Sequence, residues 1–144
     1  MKKKISAIFV MILICLPVFA GGIGYIDYEK IIDNYNLAKT TRQELDTKAK
    51  ELHDYLTQKE EEFNQLESPV QKSKFEMQMQ EEVMKRESAF NDFVKKREET
   101  VKQRIKTVVE QVQNEKGLDA VLSEESVYSG GVDITEDVIQ QLNK

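Results

Sequence analysis

From Leu37 to Lys116 the chain runs for 80 residues without a glycine and with a single proline, Pro69. A stretch of that length with almost no breakers, in which apolar residues recur every three or four positions, folds as long amphipathic helix rather than as a globule. Ala38, Leu45, Ala49, Leu52, Leu56, Phe63 and Leu66 share one stripe if positions 38, 45, 52, 59 and 66 are d sites of a heptad and 42, 49, 56 and 63 are a sites. Arg42 and Lys59 interrupt that seam, which predicts a thin, partly solvated pairing. Ser68-Pro69 breaks the period, because proline removes a helical donor and pushes its predecessor out of the α region. The turn is therefore expected near 68–69.

Beyond it the period resumes through Met79, Val83, Phe90, Val94, Val101, Ile105, Val108 and Val112, and ends at Gly117. Glycine is a natural helix stop, and Lys116 beside it suits the negative end of the helix dipole. Two helices joined by one short turn run antiparallel. At about 1.5 Å per residue, Leu37 to Glu67 spans roughly 45 Å and Val70 to Lys116 roughly 70 Å. Helix over 28–33, before a kink at Asn34-Tyr35-Asn36, reduces the mismatch.

The first 20 residues form a different kind of segment. Lys2, Lys3 and Lys4 precede an apolar run from Ile5 to Leu16, and Val18-Phe19-Ala20 supplies small residues at −3 and −1, the pattern of a cleaved secretory signal peptide. The run is short for a membrane span and closes at Pro17. Cys15 follows Ile14 inside the run, which is not a lipidation pattern. Cleavage after Ala20 leaves 124 residues and removes the only cysteine, so the mature chain has no thiol chemistry. It also removes three lysines, leaving 18 basic against 26 acidic side chains and a net charge of −8. Such a protein is not expected to bind nucleic acid through its overall field.

Residues 21–36 and 117–144, 44 in all, remain for a compact body. So small a body needs a staple, and with no disulfide that leaves oligomerisation. Its pieces are short. Ile23 to Tyr28 alternates as a strand and leads into a helix-compatible segment, Leu118 to Leu122 reads as a second strand, and Ser126 to Ser129 as a third. Gly130-Gly131 ends that strand. Asp133 or Thr135 then caps a last helix, with Glu136 as the capping-box partner of Asp133. The fold class is thus α+β and predominantly helical: a long antiparallel hairpin over 37–116 on a small β-rich oligomerisation body made by 21–36 and 117–144.

In this order, the opening strand Ile23-Gly24-Tyr25-Ile26-Asp27, the two charged helices, the strand Leu118 to Leu122, Val127-Tyr128-Ser129-Gly130-Gly131 and Asp133-Ile134-Thr135-Glu136-Asp137-Val138 resemble the Skp (OmpH-like) family of periplasmic chaperones. The resemblance covers the whole mature chain, and the closing segment is its most specific part. It implies a homotrimer in which strands of three chains form a small barrel, with the hairpins hanging from it around a cavity. It further implies that unfolded outer-membrane proteins are held there without ATP, in the periplasm. Ile23, Ile26, Ala120, Val121, Leu122 and Val127 are the expected trimer core. The family's best-known members are basic, with positive arm tips. Here residues 37–116 carry 16 basic and 17 acidic side chains, and the tip, 57–80, carries three against five. Direct binding to anionic lipid or lipopolysaccharide is therefore not expected.

Phe63, Leu66, Phe75, Met77, Met79, Met84, Phe90 and Phe93 crowd the outer hairpin beyond what one narrow seam absorbs. Methionine-rich surfaces adapt to many apolar partners. Phe63, Phe75, Met77, Met79, Met84 and Phe93 are the candidate client-binding residues, with Met77, Met84 and Phe93 off the seam. Glu60-Glu61-Glu62 reads as a solvated helix face. The lone His53 has no second histidine or cysteine for a zinc site. Gly21-Gly22-Ile23-Gly24 precedes a strand rather than opening a helix, so it is no phosphate loop. No catalytic constellation or cofactor motif is visible, and thin helical arms offer little to exclude water from a nucleophile and its base, which argues against an enzyme. Two classes of function fit: a holdase for unfolded barrel precursors, or a structural spacer or docking protein of the cell envelope. The methionine and phenylalanine excess favours the first.

Overall fold

The computed structural model describes residues 21–144; the leader expected over 1–20, with Cys15, lies outside the described residues. Strand β1 (Ile23–Ile26) leads into α1 (Tyr28–Asn34), α2 (Asn36–Asn64) and α3 (Pro69–Glu115). The chain returns through β2 (Ala120–Ser123), a 3-10 turn (Glu124–Ser126), β3 (Val132–Asp133) and α4 (Thr135–Leu142). The molecule is a predominantly helical chain with a small strand body. Strand β1 is central, flanked in parallel by β2 and β3, with Ile23 opposite Ala120 and Gly24 opposite Val132. Parallel neighbours need a long crossover, and between β1 and β2 the whole helical hairpin serves as that crossover.

Each break in the helices has a local cause. The arm turn falls at Gln65 to Ser68, and Pro69 opens α3 at its first position, where a missing N–H costs nothing. The turn thus precedes the proline. At the far end of α3, Gly117 has φ 63°, Leu118 N–H donates to Gln113 O (3.0 Å) and Gly117 N–H to Asn114 O (3.1 Å). That bond pair is a Schellman stop, which needs a left-handed residue.

The strand expected over Ser126 to Ser129 is absent. Glu124–Ser126 is a 3-10 turn, Tyr128 is fully exposed, and the third strand lies later, at Val132–Asp133. Tertiary pairing moved it. Gly130 and Gly131, with φ of 81° and 91°, swing the chain alongside β1, where a Cβ on Gly131 would stand 3.1 Å from Ile23 O. The expected capping box does not form either. Ile134 occupies the cap position, and Asp133 Oδ1 accepts from Thr135 N–H at 2.9 Å. Hydrogen bonds from the Thr135 hydroxyl and then its backbone hold the Asp133 carboxyl below its ordinary range. Glu136 instead pairs with Lys30 of α1 at 2.7 Å, and the Thr135 hydroxyl accepts from Asp27 N–H at 3.0 Å.

The core is helical. Ile31 and Tyr35, Ala38 of α2, Val101, Ile105, Val108 and Val112 of α3, and Ile134, Val138, Ile139 and Leu142 around α4 form one buried cluster. Ile26 and Val121 pack against it only partly buried. The 44 residues outside the hairpin thus do not make the body alone: the last four turns of α3 supply four of its buried side chains. In the single chain none of the expected trimer-core residues is fully buried. Ile23 and Leu122 are exposed, while Ile26, Ala120, Val121 and Val127 are half-buried.

Outward from Thr41 and Val101 the arm contains no fully buried residue. Leu45, Leu52, Leu56, Phe63 and Leu66 are half-covered, and Ala49, expected on the seam, is exposed. A two-helix hairpin shields only one side of each side chain, so the thin pairing is a matter of geometry.

The expected kink lies at Tyr35, which is extended (φ −89°, ψ 119°) between α1 and α2. Its neighbours lose helical partners there, and Asn143, at the C-terminal end of α4, replaces them. Its Oδ1 accepts from Asn36 N–H at 2.9 Å and its Nδ2 donates to Asn34 O at 2.8 Å. The two backbone partners set the orientation of the amide, since each needs the opposite polarity. Asn143→Ala is expected to cost about 1–2 kcal/mol and to speed hydrogen exchange at the Asn36 amide, with exchange in the mid-arm unchanged.

Candidate functional site on the helical arm

The outer hairpin presents apolar surface in two forms. The first is a groove between α2 and α3 lined by Leu56, Phe63, Phe75, Met79, Val83 and Met84, with Lys59, Glu60 and Glu76 at its rim. Phe63 and Phe75 lie 6.0 Å apart between ring centroids, tilted by 42°, and Lys72 Nζ stands 5.1 Å above the Phe63 ring. The second is a stripe on α3 left largely uncovered among the described residues: Val70, Met77 and Met84 are 78%, 67% and 58% exposed. These three are spaced by seven, which is about two helical turns, so they share one face over roughly 21 Å. Met84 belongs to both and joins stripe to groove.

Of the six residues expected at a client surface, the structure gathers Phe63, Phe75, Met79 and Met84 in the groove and leaves Met77 on the stripe. Phe93 stands apart, nearer the body. It is half-buried, with the Arg97 guanidinium 5.3 Å from its ring centroid, beside Lys48, Leu52 and Phe90. Val70 escaped the sequence reading because it follows Pro69 directly. Its heptad spacing to Met77 and Met84 was the available signal.

A polar clasp closes the hairpin below the groove. The Arg86 guanidinium lies 3.9 Å from the Tyr55 ring centroid and pairs with Glu82 at 3.0 Å, while Lys59 pairs with Glu62 at 2.6 Å. The Tyr55 hydroxyl reaches Met79 Sδ at 3.9 Å. Desolvation, then the neighbouring Glu82, pushes the Tyr55 phenol up. Hydrogen bonds from Arg86 and then Tyr55 hold the Glu82 carboxyl down, and Glu62 raises Lys59. All of these shifts favour the forms present at neutral pH, so the clasp keeps its charges there. Further in, Arg97 Nη2 lies 2.8 Å from Glu44 Oε2, close enough for an ion pair but off the axis of a hydrogen bond.

His53 is exposed, and among the described residues no cluster of three His, Cys, Asp or Glu is placed to hold a metal. No helix of the described residues is long and apolar enough to cross a membrane. The arrangement offers binding surface on slender, solvated helices.

The family model described as outer membrane protein (OmpH-like) matches residues 22–142, the body and the arm together. The chain belongs to the OmpH-like family. Its fold is similar to that in the crystal structure of a candidate outer membrane chaperone (OmpH-like) from Caulobacter crescentus CB15, with a TM-score of 0.61 at 15% identity. That alignment covers 85% of this OmpH-like chain and 84% of the other. No curated protein matches it by sequence.

Proposed function

We propose that this OmpH-like chain is a periplasmic holdase that binds unfolded outer-membrane proteins between the arms of a homotrimer and keeps them from aggregating, without ATP. The exposed stripe Val70, Met77 and Met84, continuous with the Phe63–Phe75 groove, carries this reading. Large apolar side chains left uncovered along a thin arm disfavour a spacer, which would keep them on the seam. They suit a client held by many weak, non-directional contacts. The open outer edges of β2 and β3, with Ile23, Leu122 and Val132 exposed nearby, support assembly through the strands.

The test uses the protein lacking residues 1–20. It is expected to suppress aggregation of several unrelated urea-unfolded barrel precursors at stoichiometric ratios, with no effect of ATP, and to sediment as a trimer. Protection of one folded envelope protein and of no unfolded precursor would overturn the holdase reading. A folded monomer at micromolar concentration would overturn the assembly.

A further inference from the structure

Strand β1 begins two residues after the expected cleavage point, and the chain there runs against the carboxylate of Asp119. A Cβ built on Gly21 would fall inside that carboxylate. The bond lengths around a Cα then put the Gly21 nitrogen within about 4.5 Å of it. The backbone of Asp119 is held at both its N–H and its carbonyl. Its N–H donates to Gly22 O at 3.0 Å, and the Gln113 side-chain amide donates to Leu118 O at 3.3 Å and Asp119 O at 3.1 Å. Among the described residues, no lysine or arginine pairs with Asp119.

In the unprocessed chain the Gly21 nitrogen is a neutral amide. Hydrolysis of the Ala20–Gly21 peptide bond adds water across it, leaving a carboxylate on Ala20 and an ammonium on Gly21. We propose that this new α-ammonium pairs with Asp119, so that removal of the leader itself supplies the cation that closes the start of the β1–β2 pairing. The pair sits one step before the Gly22–Asp119 backbone bond and the Ile23–Ala120 register, and it makes the mature sheet more firmly zipped than that of the precursor. This rests on cleavage after Ala20 and is independent of the chaperone reading.

The experiment starts with the intact mass of the exported protein, expected to begin at Gly21. A different first residue overturns the pair and leaves the holdase activity untouched. NMR titration of the Gly21 α-amino group then measures its pKa, expected at least about half a unit above the 7.7–8.0 of a free terminus. Asp119→Asn is expected to abolish most of that rise. Glu125→Gln, at the opposite end of β2, is the control for the acidic field of the body and is expected to leave it. An α-amino group that titrates at its ordinary value, or that responds equally to both substitutions, overturns the proposal.

Discussion

Ile105→Ala, a substitution in the last turns of the long helix α3, is expected to destabilise the body by about 2–5 kcal/mol. Ile105 is 2% exposed and packs in the same cluster as Ile31, Val108 and Val138. Truncating it leaves a cavity that the packed neighbours of the cluster cannot all move to fill. Leu52→Ala, half-covered halfway along the arm, is expected to cost about 1 kcal/mol or less, because its side chain already meets water. Urea denaturation followed by circular dichroism, at one fixed protein concentration because assembly adds to apparent stability, compares the two. Equal effects would mean that α3 is uniform along its length and that its last turns are not part of the body. Ile105→Asp is expected to prevent folding of the body altogether, since it would bury a carboxylate among the apolar side chains of the core cluster.

Changing Val70, Met77 and Met84 together to serine should weaken binding of an unfolded barrel precursor by roughly ten- to a hundredfold. That range corresponds to covering about a third of each of these side chains in the complex. All three are exposed, so helix content and assembly should stay as in the parent. Phe93 is left out of the set because it packs under Arg97, and its loss would disturb the arm. Added salt should change client affinity little. The arm carries 16 basic against 17 acidic residues, and charge acts over only about 8 Å at physiological ionic strength. If affinity collapses with salt while the triple variant binds like the parent, capture is electrostatic and the apolar stripe is not the binding surface.

Much of this molecule was legible along the chain because the relevant physics is local. A long run free of glycine, with apolar residues at threes and fours, can only be helix. Pro69 and Gly117 act on their own backbone neighbours, so the turn and the stop of the arm followed within a few residues. The kink at Tyr35 was legible too, between two asparagines that compete for backbone hydrogen bonds. The methionine and phenylalanine excess marked the outer arm as the place where apolar side chains stay uncovered.

What sequence order could not reveal were pairings between distant segments. Val101, Ile105, Val108 and Val112 have the same spacing as the residues before them, yet only they are buried, because α4 packs on that end of α3. Asn143 is an unremarkable terminal residue until folding brings it across 107 positions to the Asn36 amide. Val127-Tyr128-Ser129 has better strand propensity than Val132-Asp133, but β1 offers its free edge to the later pair once Gly130 and Gly131 have turned the chain. Local composition thus determined the helices and their ends. Burial and strand partnership depend on which surfaces meet, and only the tertiary structure decided those.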